Sequence, residues 1–199
     1  IEVNPEWEQY LNDNYPVLRD FTFWNLTVFL QKRNPNVPDV SSKLVKPIQR
    51  ESLIKQRNFW DAYIDLNGSM KCIYTGKELY KKSYDLDHFV PWSFVSHNLL
   101  WNLLPADASI NSSKSNNLPV LGDYLRPFAR AHQQAIQALY PKNPNNKLLE
   151  DYLTLHDSIP ELIHLPENDF LNVFQKTFSP MVQIAENMGF KYWQNTFRL

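Results

Sequence analysis

Residues 72–119 read CIYTGKELYKKSYDLDHFVPWSFVSHNLLWNLLPADASINSSKSNNLP. Short apolar runs at 71–74 and 78–80 predict strands on either side of Thr75-Gly76, a turn that needs the backbone freedom of glycine. Tyr84–Phe89 predicts a further strand. Its two-residue alternation places Asp85 and Asp87 on one face, Leu86 and His88 on the other. The loop 91–98 leads to a strand over Trp101–Leu104. Pro105 and Ala106-Asp107 then start a helix running to about Ser115. Asn111 falls mid-helix, on the side turned back toward the strands, and Lys114, three residues on, shares roughly that side.

The pieces Cys-x-Tyr-Thr-Gly-Lys, Asp-His-x-x-Pro-x-Ser, Asn-x-Leu and Asn-x-x-Lys-Ser-x-Asn-x-Pro together resemble the core of HNH endonucleases. The likeness is nearest to the HNH domain of RNA-guided CRISPR effector nucleases and related HNH proteins. Each piece alone carries little information, since adjacent Asp-His pairs occur by chance. Their joint order and spacing carry the resemblance. It implies an α+β, mainly helical fold: a ββα-metal HNH core over about 71–119, flanked by N- and C-terminal helices.

The resemblance also assigns roles. His88 matches the general base. Asp87 and Asn111 match the metal ligands, and Asn102 matches the middle asparagine, which ties the interstrand loop and so orients the base. Lys114 sits where a basic residue can meet a substrate phosphate oxygen. The chemistry agrees with these residue types. Imidazole is largely neutral and basic near pH 7. A carboxylate and an amide oxygen form a hard ligand set suited to Mg²⁺, with Mn²⁺ as a substitute. Many relatives hold a structural zinc with a Cys-x-x-Cys pair at the first turn. Here Cys72 is the chain's one cysteine, so that knuckle is excluded on ligand count and Cys72 is expected to be a small buried apolar residue. Polar roles near the surface predict that substituting Asp87, His88 or Asn111 costs the fold little.

Upstream, Asn4-Pro5 reads as a helix start, and Trp7, Tyr10 and Leu11 share one helical face. Pro16 interrupts, and a second helix is predicted over about 20–33. Its Phe21, Trp24, Leu26, Val28, Phe29 and Leu30 make it apolar on several sides, which predicts burial. Residues 34–50, with three prolines, form the clearest linker. A third helix is predicted over 51–66, ended by Asn67-Gly68. Downstream, helices are predicted over 123–139, 146–156 and 167–188. The implied layout is a helical segment 1–70 containing the linker, the core 71–119 and a helical extension 120–199, packed as one unit.

Composition limits the function classes. The 199 residues are 43% hydrophobic with 28 aromatics counted as Trp, Tyr and Phe, enough for a core. A single cysteine excludes an internal disulfide framework and fits a reducing cytosol, prokaryotic by the resemblance. No apolar run approaches the ~20 residues of a membrane span. The chain opens at Ile1 without a signal-peptide pattern, compatible with a piece of a longer protein. Net charge is −1, which argues against a free-standing tight nucleic-acid binder. Residues 32–82 nevertheless hold 11 Lys/Arg against 5 Asp/Glu. That stretch reads either as a solvated basic face or as a phosphate-backbone contact.

The expectation is therefore a metal-dependent HNH endonuclease cutting DNA in preference to RNA. It would be a module of a larger protein or ribonucleoprotein complex in restriction, antiviral defence or CRISPR interference. Two other readings stay open: a non-catalytic HNH-derived interaction subunit and an RNA-cleaving toxin of the same fold. Of the remaining polar residues, Asp85 is a candidate carboxylate behind the ligands. His97 is expected to be exposed or capping, His132, His156 and His164 structural, and Trp92 and Trp101 packed rather than base-stacking.

Overall fold

The computed structural model describes residues 2–45 and 51–195. The chain divides into two compact units, Ile1–Ile48 and Gln49–Leu199, so the division falls inside the proline-rich stretch.

In the first unit, Asn4 caps a 3-10 turn, Pro5–Trp7, its side chain accepting from the Glu6 amide. Helices α1 (Glu8–Asp13), α2 (Tyr15–Arg33) and α3 (Val40–Leu44) follow. Pro16 stands in the first turn of α2, where its missing N–H costs nothing, so the helix begins earlier than its apolar run suggests. The predicted burial of α2 does not hold. No residue of α2 is buried, and Phe21 and Trp24 are 67% and 69% exposed. Apolar residues on several faces signal burial only where other elements cover them, and within its own unit α2 is accompanied only by short helical pieces among the described residues. The 34–50 stretch is not wholly irregular either: Asp39 caps α3 by accepting from the Ser42 amide. Residues 46–50 of that linker lie outside the described residues.

The second unit is α+β and mainly helical, with two antiparallel two-stranded sheets. Helix α4 (Ile54–Asn67) ends at Gly68, whose φ of 78° suits a residue without Cβ. Strands β1 (Met70–Lys71) and β2 (Glu78–Leu79) flank the Thr75-Gly76 turn. Strand β3 (Asp85–His88) pairs with β4 (Leu103–Ala106), in the register Asp85↔Ala106 to His88↔Leu103. Pro105 lies inside β4 rather than at a helix start. A two-stranded ribbon has a free edge on each strand, which tolerates the missing donor. A short helix α5 (Trp92–Val95) and a 3-10 turn (Leu100–Asn102) fill the connection. Asp107 caps the next helix, α6 (Ala108–Lys114), through the Ser109 amide.

Helices α7 (Leu121–Leu139), α8 (Ile159–His164) and α9 (Glu167–Asn187) complete the unit, with a 3-10 segment, Lys147–Thr154, between α7 and α8. Among the described residues, no helix is long and apolar enough to cross a membrane. The C-terminal helices form the wall on which the hairpin rests. Phe89 and Val90, immediately after His88, are wholly buried. The Phe89 ring stacks on Phe128 of α7 at 4.0 Å and meets Phe178 of α9 edge-on at 5.3 Å. From the other side, Trp60 of α4 donates its indole N–H to the Leu103 carbonyl, 3.1 Å away. The end of β3 is thus clamped between aromatic packing and a buried hydrogen bond, and His88 sits at that clamped end.

Candidate active site

Helix α6, the β1–β2 turn and the interstrand loop converge on β3. Asp85 and Asp87 both meet α6. The Asn111 amide donates to Asp85 Oδ2 at 3.4 Å, and Lys114 Nζ lies 2.9 Å from Asp87 Oδ1. The β1–β2 turn supplies Tyr74, which donates to Asp87 Oδ2 at 2.6 Å. Desolvation, and then the neighbouring carboxylate, push the Tyr74 phenol well above its ordinary pKa, so it stays a donor. Its ring is held edge-on by Tyr124 and Trp193, and Trp193 in turn donates to Ser113 Oγ on α6.

The interstrand loop is closed by Asn102. Its side chain accepts from the Val90 amide and donates to the Val90 carbonyl, both at 2.9 Å, while its backbone carbonyl accepts from the Phe89 amide at 2.8 Å. Asn102 is wholly buried, so these bonds satisfy groups that water cannot reach. Half-buried His88 has its Nε2 3.0 Å from Asn98 Oδ1, further round the same loop.

Asp87, His88 and Asn111 all line one cavity of about 380 Å³, together with Glu51, Asn98 and Trp92. Asn102 lies behind it, in the loop. Lys114 is placed otherwise than expected. Its side chain is fully buried, and its ammonium is spent on Asp87 and on the His88 carbonyl, 2.7 Å away. A phosphate oxygen therefore cannot meet it in this arrangement. The reason is electrostatic: Asp87 is only 2% exposed, and a carboxylate so buried needs a counter-charge. The expectation that substitution of Asp87 costs the fold little fails for the same reason. The sequence reading also missed Tyr74, Asn98 and Glu51. Tyr74 stands inside the Cys-x-Tyr-Thr-Gly-Lys piece and could have been singled out there. Asn98 and Glu51 belong to no local pattern.

Of the other polar residues, the Leu99 amide donates to His97 Nδ1 at 3.4 Å, and Trp101 is packed edge-on against Phe178. His132 is wholly buried among Trp60, Phe128 and Phe174, and desolvation lowers its pKa to about 3. Cys72 is buried.

The matches to known proteins fall on this same segment. The HNH endonuclease family model matches residues 72–120. Residues 72–120 belong to the HNH endonuclease family. Over 121 residues, 59% of this chain, the sequence is 29% identical to the CRISPR-associated endonuclease Cas9 of Listeria innocua. Over 89 residues, 42% of this chain, it is 30% identical to the CRISPR-associated endonuclease Cas9 of Streptococcus mutans. These matches cover 8% and 6% of the two relatives, so the chain spans under a tenth of their length. No solved structure matches the chain.

HNH nucleases generally work with a divalent metal, and the donor set here fits one of hard character. A carboxylate offers about four lone-pair sites, and Tyr74 and Lys114 take one on each Asp87 oxygen. Asn111 lines the same cavity, and with its Nδ2 donating to Asp85 its amide oxygen is left to act as an acceptor. Among the described residues, no three His, Cys, Asp or Glu side chains form a metal-ligand cluster. One carboxylate, one amide and water make a ligand set that Mg²⁺ accepts and Zn²⁺ does not favour.

Proposed function

We propose that this HNH domain hydrolyses phosphodiester bonds in DNA, with His88 as general base and Asp87 and Asn111 holding Mg²⁺ or Mn²⁺. The observation that supports it is the meeting of Asp87, His88 and Asn111 on one open cavity, within a segment of known nuclease family. His88 takes a proton from water, which then attacks phosphorus. Asn102 holds the loop against Val90 and so keeps the imidazole at the cavity wall. Asp87 and Asn111 would hold a divalent cation, which would supply charge neutralisation to the phosphate and the departing 3′ oxygen. Tyr74 and Lys114 fix the orientation of the Asp87 carboxylate.

The two named relatives are CRISPR-associated endonucleases. We extend that setting to this chain: a module of a larger nucleic-acid-guided or defence assembly in the cytoplasm of a prokaryote. A net charge of −1 supports delivery of the strand by a partner rather than independent capture. One observation favours the second reading, a non-catalytic interaction subunit. The ammonium of Lys114 already neutralises Asp87, and a cation entering there must share that carboxylate.

The discriminating experiment incubates the full chain with supercoiled plasmid, single-stranded DNA and RNA, in Mg²⁺ and in EDTA. Mg²⁺-dependent cutting of DNA is expected. Cutting of RNA alone supports the toxin reading, and no cutting in Mg²⁺, or in Mn²⁺ in its place, supports the interaction subunit.

A further inference from the structure

We infer that Asn98 is a positioning residue for His88, selecting Nε2 as its protonated nitrogen and Nδ1 as the nitrogen that carries the lone pair. The catalytic consequence rests on the proposed role of His88 as general base; the tautomer itself does not. A neutral imidazole has one N–H and one lone pair. Asn98 Oδ1 stands 3.0 Å from His88 Nε2, and an amide oxygen can only accept. The orientation of the Asn98 amide is set from its far side, where Nδ2 faces Glu51 Oε2 at 3.5 Å. Turning the amide over would put two oxygens face to face there and leave an NH₂ aimed at Nε2. The backbone is fixed as well: the Asn98 carbonyl accepts from Gln56 Nε2 on α4, 2.9 Å away.

Glu51, Asn98 and His88 thus form a chain in which a carboxylate orients an amide and the amide orients a ring. This is how a third group fixes a catalytic base in other hydrolases. When Nδ1 accepts a proton, both ring nitrogens become donors. The contact from Nε2 to Oδ1 is therefore kept in both states of the ring. Asn102, four residues beyond Asn98, secures the loop backbone and cannot select a tautomer, because its side chain is spent on Val90.

The test uses the full chain labelled with ¹⁵N-histidine. In the wild type and in the paired variant Asn98→Asp with Glu51→Gln, which keeps an acceptor toward His88 and a donor on its far side, His88 is expected to show a protonated Nε2 with a slowly exchanging proton. In Asn98→Leu that slow proton is lost. With DNA as substrate, Asn98→Leu is expected to lower kcat roughly 10- to 100-fold, with KM changed less than about 3-fold, and the paired variant Asn98→Asp with Glu51→Gln to recover most of it. A wild-type spectrum with the proton on Nδ1, or an Asn98→Leu chain with unaltered spectrum and kcat, overturns the inference. If the chain cuts no nucleic acid, the spectrum alone decides, and only the nuclease reading falls.

Discussion

Lys114 Nζ lies 2.9 Å from Asp87 Oδ1 and 2.7 Å from the His88 carbonyl, sealed from solvent. Removing one member of a buried ion pair leaves the other charge uncompensated, which typically costs about 3–5 kcal/mol. Lys114→Met and Asp87→Ala are each expected to lose that order of stability in urea denaturation. The double variant should lose clearly less than the two losses combined, since no charge is then stranded. Additive losses would show that the two side chains do not share one interaction.

The order of elements around this pair was legible in the sequence, because it rests on local chemistry. Alternation over 85–88 put Asp85 and Asp87 on the face that meets α6, and Asn67-Gly68 ended α4 where it does end. The Asn102 tie to Val90 also follows from the family motif. What the sequence could not supply were distances across the fold. Lys114 and Asp87 are 27 positions apart, and nothing local says which of a phosphate or a carboxylate the ammonium meets. Glu51 and Asn98 are 47 apart. Helix α2 failed for a different reason: an apolar composition states a preference for burial and not the presence of a partner.

Asn102 bridges both polar groups of Val90 at a site no water reaches. Asn102→Ala strands two buried backbone groups, at roughly 1–3 kcal/mol each. A thermal melt should register that loss. Asn102→Asp retains only the acceptor and should fall short of wild type by the stranded Val90 carbonyl. Melting temperatures equal to wild type would show that the loop holds without this bridge.

His132 gives the fold a pH dependence. Its folded pKa lies near 3, against 6.5 for the free side chain, because burial disfavours the charged ring. Between those values the unfolded chain binds a proton that the folded chain refuses. This contribution is therefore complete above pH 6.5 and lost as pH falls, by up to about 1.4 kcal/mol per pH unit. Urea midpoints measured from pH 7 to pH 5 should fall, and His132→Phe should flatten that fall. The variant starts lower at pH 7, since Tyr152 loses its 2.7 Å bond to Nδ1. An unchanged slope in the variant would assign the dependence to other groups.

Trp24 on α2 is 69% exposed. Trp24→Ala should change the stability of this chain by no more than about 0.5 kcal/mol, as for an ordinary surface position. A loss of several kcal/mol in denaturation would restore the buried reading of that helix.

The central claim is that His88 acts as the base beside a cation held by Asp87 and Asn111. The most direct measurement is the single-turnover rate of DNA cleavage in Mg²⁺ by wild type and His88→Ala at equal folded concentration. A fall of roughly 10²- to 10⁴-fold is the expected result. Cleavage at an unaltered rate in His88→Ala would contradict it.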